Sequence, residues 1–119
     1  MTVQVDVCLR GENVAITRSI EGVLREPPSW TDEDVRAVLE GMLLVMHRLK
    51  HPDQADRAIA LRGLSWIVNP YDSGGVVIAI EITMGAAVAG PFDIEKSTLE
   101  AMIARVLVRP AVQPSGTVH

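Results

Sequence analysis

Val76-Val77-Ile78-Ala79-Ile80-Glu81-Ile82-Thr83 is the stretch on which the reading of this chain turns. Apolar residues fill both alternating sets of positions, and only Glu81 and Thr83 interrupt them. A strand with one wet face alternates apolar with polar residues, whereas one that is apolar on both faces belongs inside a sheet. Just before it, Asn69-Pro70-Tyr71-Asp72-Ser73-Gly74-Gly75 concentrates residues that turn a chain sharply. Before that turn Leu64, Trp66 and Val68 alternate as a further strand, so the pair predicts a hairpin. Asp72–Gly75 lacks the lysine and the strand-to-helix setting of a phosphate-cradling loop, which leaves a hairpin turn.

Residues 3–10 repeat the period of two. Val3, Val5, Val7 and Leu9 take one face, and Gln4, Asp6, Cys8 and Arg10 take the other. Beyond the turn Gly11-Glu12-Asn13, the residues Val14, Ile16 and Ile20 continue the pattern with Arg18 interrupting it. Gly22 and Pro27-Pro28 end that second strand. Thr31 followed by Asp32-Glu33-Asp34 is a helix start, a hydroxyl cap with acids at the positive end of the helix dipole. Val35, Val38, Leu39, Met42, Met46 and Leu49 then make one apolar stripe ending near Lys50, with Pro52 as the stop. A second helix, capped by Asp93, carries Leu99, Met102, Ile103 and Val106.

Between strand four and that helix, Gly85, Gly90 and Pro91 read as breakers. Residues 53–62 fit either a short helix capped by Asp53 or the lead-in to a strand. From Arg109 onward Pro110, Pro114, Ser115 and Gly116 read as a flexible tail. The expectation is one α+β domain over residues 1–108 and a tail over 109–119. Its architecture is a four-stranded antiparallel sheet with two helices on one face, in ββα-ββα order. The match of Val14-x-Ile16-x3-Ile20 to Val76-x-Ile78-x3-Ile82 raises the prospect of an internal pseudo-repeat.

The formal net charge of −4 over 119 residues disfavours nucleic acid, which needs clustered cations to displace counterions. It equally disfavours an anionic membrane surface, and no apolar run approaches the length of a membrane span. Cys8 is the single cysteine, so an internal disulfide and a cysteine metal cluster are both ruled out. The acidic, alternating N-terminal residues are unlike a signal peptide, and the expected location is cytoplasmic.

Candidate sites are few. His47 and His51 have the spacing of paired metal ligands on a helix, but they lack the companion ligands and the catalytic glutamate of a zinc site. With Met42 at the centre of the stripe they read as a solvated face, so no metal and no cofactor is expected. Cys8 reads as a small buried filler rather than a nucleophile. Glu81, with Asp6 and Arg18 on the neighbouring hairpin, forms the acid–base or ligand candidate, and an ion pair among them is the simpler reading. Leu44 points away from the helix stripe and, with Trp30, Trp66 and Tyr71, suggests exposed apolar surface for a partner. An apolar strand four also leaves one sheet face to cover, which points to a homodimer or another protein partner. The expected function is a non-catalytic interaction domain acting as a homo-oligomer. The alternatives are a small-ligand domain using the sheet–helix crevice, lined by Trp66 and Glu81, and a small enzyme using Glu81, Asp6 or His47.

Overall fold

A computed structural model describes residues 1–56 and 59–108 of the chain. The elements run β1 (Val3–Leu9), β2 (Ile16–Ile20), a 3-10 turn at Pro27–Ser29, α1 (Asp32–Lys50), β3 (Ser65–Pro70), β4 (Val76–Ile82), β5 (Gly85–Phe92) and α2 (Lys96–Val108). All strand pairings are antiparallel, and the sheet order is β2-β1-β5-β4-β3.

The α+β class and the two helices agree with the sequence reading, but the sheet has five strands rather than four. The missing strand is Gly85–Phe92, and it lies at the centre of the sheet. Its glycines and proline had read as breakers, yet each has a place in a strand. Gly85 (φ +153°) lies so close to β1 that an added Cβ would collide with the Cys8 carbonyl. Gly90 and Pro91 sit where the pairing with β4 shifts register between Val76 and Ile78. They are also past the last β1 partner, Ala89. A proline that donates nothing is tolerated at such a bulge. The element order is therefore ββα-βββα, and β4 is an interior strand flanked by β5 and β3. This order lends no support to a repeat, since β2 lies at an edge and β4 inside.

Alternation sets the two faces. Val3, Val5, Val7, Ile78, Ile80, Ala87 and Ala89 are buried on one side of the sheet, beneath both helices. The α1 stripe supplies Val35, Val38, Leu39, Met42 and Met46 to the core, and α2 supplies Leu99, Met102, Ile103 and Val106. The helices run antiparallel. Arg105 near the end of α2 grips Asp32 at the start of α1 with two bonds of 2.9 Å. The buried Arg36 donates to the Val106 carbonyl at 3.2 Å and pairs with Glu40. This second helix alongside α1 leaves it few wet positions. After α1, residues 53–56 and 59–62 are turn and irregular chain on the way to β3, not the short helix capped by Asp53. Ile59, Leu61 and Leu64 pack against the core, and Arg48 holds Asp56 at 2.9 and 2.6 Å. The expected tail at 109–119 lies outside the described residues.

Candidate functional site

The face of the sheet away from the helices is built by the other half of each strand. Register aligns Thr17, Asp6, Val88, Ala79 and Ile67 in one row across all the strands. The next row is Cys8, Ala86, Glu81 and Ser65. Ile67 is 52% exposed and Val88 40%, large values for residues of this kind inside a sheet. Val77, Ala79 and Ala86 beside them are half-buried. Gln4, Asp6, Thr17, Glu81, Ser65 and Asn69 flank this apolar patch and are all exposed, while beyond Ile67 the patch runs to the sheet edge at β3.

The sequence candidates fall in different places. Asp6 and Glu81 do share this bare face. Arg18 does not, because it stands opposite Val5 and so has the parity of the helix side. Asp6 accepts a hydrogen bond from the Thr17 hydroxyl, and Arg18 donates to the Thr17 carbonyl at 3.0 Å. The expected ion-paired cluster of Glu81, Asp6 and Arg18 is thus not formed. Trp30 is buried, its ring centroid 4.7 Å from that of Phe92 and its indole N–H donating to the Arg25 carbonyl at 2.8 Å. It belongs to the core and is not available to a partner. Trp66 is half-buried with the parity of the helix-facing residues, Leu44 is half-buried on α1, and Tyr71 is exposed at the β3–β4 turn. These four do not make one surface.

Two expectations about reactive groups are also reversed. Cys8 is exposed on the bare face, its thiol set against the Glu12 carbonyl at 3.7 Å, because β1 turns that set of residues away from the helices. His47 is buried rather than solvated, since the chain at 59–63 folds back against that side of α1. Its Nε2 has no hydrogen-bond partner among the described residues. The His51 ring stands beside it, 5.1 Å between centroids. Both rings line a cavity of about 450 Å³ between the end of α1, residues 59–63 and the β4–β5 turn. A second hollow, of about 530 Å³, is formed by Pro28, Gly75, Val76 and the residues leading into α2. Among the described residues no group of three or more His, Cys, Asp or Glu side chains is placed to hold a metal.

No family model, curated protein or solved structure gives a significant match to this chain. No described helix is long and apolar enough to cross a membrane.

Sequence reasoning missed Val88 because it missed β5, and it passed over Ile67 because one exposed apolar residue carries no signal alone. Only the register that brings Ile67, Ala79 and Val88 into line makes them a patch.

Proposed function

We propose that this domain acts by association rather than by catalysis, as a homodimer joined through the bare face of its sheet. The observation that carries the reading is the row Ile67–Ala79–Val88, exposed at both ends and flanked by polar side chains. The small residues Val77, Ala79 and Ala86 allow two sheets to approach face to face, near the usual spacing of about 10 Å. A two-fold axis along β4 sets Ile67 of each copy on Val88 of the other and leaves Asp6 at the margin, so that β3, β4 and β5 of each copy overlap. Three strands about 4.8 Å apart and about 20 Å long offer about 300 Å² per copy, or about 600 Å² for a pair. That is below the ~1,000 Å² of a stable interface, and the association expected is a weak, concentration-dependent one. The scatter of Asp6, Glu81 and Arg18 over two faces also supports a non-catalytic reading, because acid–base chemistry needs such groups to converge.

Sedimentation velocity over a concentration series tests this with the wild type and an Ile67→Glu/Val88→Glu double variant. Both positions are exposed, so the variant keeps the wild-type far-ultraviolet spectrum while two carboxylates enter the centre of the contact. The wild type is expected to dimerise with rising concentration and the variant to stay monomeric. A wild type that remains monomeric at the highest attainable concentration ends the proposal.

A further inference from the structure

We propose that the cavity at the end of α1 binds a small amphipathic carboxylate, held by Arg62 and His51 with its aliphatic body against Leu43, Ile59, Ile82 and Met84. The cavity's volume, about 450 Å³, lies in the range of small-molecule sites, which combine apolar walls with a few convergent polar groups. Among the described residues its lining includes His47, His51 and Arg62 and no carboxylate, and Asp56, within electrostatic reach of His47, is already held by two bonds from Arg48.

Arg62 carries the inference. The other described arginines are all engaged. Arg25, Arg36, Arg48 and Arg105 meet carboxylates, while Arg10 and Arg18 donate to backbone carbonyls. Arg62 alone has no such partner among the described residues, and it is an exposed residue in the lining of a hollow that is part apolar and part polar. A guanidinium presents a planar fork that matches a carboxylate with two parallel bonds. His47 also lines the hollow, although its unpartnered Nε2 is itself covered and not open to it.

The geometry also selects against more highly charged anions. The cavity lies at the carbonyl end of α1, where the helix dipole opposes negative charge. One carboxylate balanced by Arg62 is tolerated there, whereas a phosphate dianion meets no helix N-terminus to receive it. The site is on the helix side of the sheet and stands apart from the dimer proposed above.

Isothermal titration of the full chain with octanoate, octan-1-ol and inorganic phosphate tests the proposal. Saturable octanoate binding is expected, at least about tenfold tighter than octanol, with no heat from phosphate. Arg62→Met keeps the apolar stem and removes the fork, so it is expected to weaken octanoate by about tenfold or more and leave octanol unchanged. The Ile67→Glu/Val88→Glu variant is expected to bind octanoate like the wild type, which separates this site from the bare face. Amide chemical shifts should move at Gly63, Thr83 and Met84. Absence of saturable octanoate binding, equal affinity for octanol, tighter phosphate, or an Arg62→Met variant indistinguishable from the wild type would each overturn it.

Discussion

Asp34 has its carboxylate almost wholly covered, yet it ionises more readily than an ordinary aspartate. Burial alone raises its pKa, but hydrogen bonds from the Thr31 backbone and hydroxyl, and then from Arg25, outweigh that and leave it below the ordinary value of 3.8. The same oxygen completes the cap of α1, accepting the Thr31 N–H at 2.9 Å. Because the folded pKa is the lower one, the folded state favours the charged form. The contribution is complete above the unfolded pKa and fades as the pH falls through the folded one. Urea denaturation is expected to show stability declining as the pH drops from about 5 to about 3. Asp34→Asn should flatten that decline, and an equally steep one in the variant would assign it to other carboxylates. Asp34→Ala is expected to cost about 1–2 kcal/mol at neutral pH through loss of the cap.

The element that most constrains the fold is β5, and its weakest tolerance is at Gly85. A Cβ on Gly85 would lie 2.8 Å from the Leu9 Cα and closer still to the Cys8 carbonyl. The backbone there is also in the region that favours glycine. Gly85→Ala is therefore expected to destabilise by about 1–3 kcal/mol, because it strains the φ angle and pushes β1 from its partner. Gly11 is an internal control, with φ +88° and open space around it. Gly11→Ala should cost only the conformational part, about 1 kcal/mol. Equal losses for the two variants, read from chemical denaturation midpoints, would show that the close approach of β1 and β5 has no energetic weight.

Across the whole molecule, the β1–β5 pairing ties the N-terminal hairpin to the β3–β4–β5 meander, joining residues far apart in the chain. Removing residues 1–22 would strip Val3, Val5, Val7 and Ile20 from the core and bare the long edge of β5. Full burial of such side chains is worth about 1.5–3 kcal/mol each, about 6–12 kcal/mol together. That rivals the entire stability of a typical domain, about 5–15 kcal/mol. The truncated chain is expected to show no cooperative thermal transition by circular dichroism. A sharp melt would make the meander and its helices a self-sufficient unit.

Local pattern alone determined the two hairpins, the cap and stripe of α1, and the α+β class. Alternation and helical spacing are properties of neighbouring residues and survive without any knowledge of the fold. Asp6 and Glu81 share a face and Arg18 does not; parity sets the alternation within each strand, but only the pairing of β1 and β4 with β5 decided which of these residues lie together. The sequence could not show β5. Gly85, Gly90 and Pro91 look like breakers until a close-lying β1 and a bulge give each a reason to be there. Nor could it show that His47 is buried or that Cys8 is exposed, since both depend on what packs across from them. Burial of a side chain is decided by its partners in space. Ile67 joins Val88, and Arg62 reaches the hollow beside His51, only after strand order and the return of the chain past α1 have brought distant residues together.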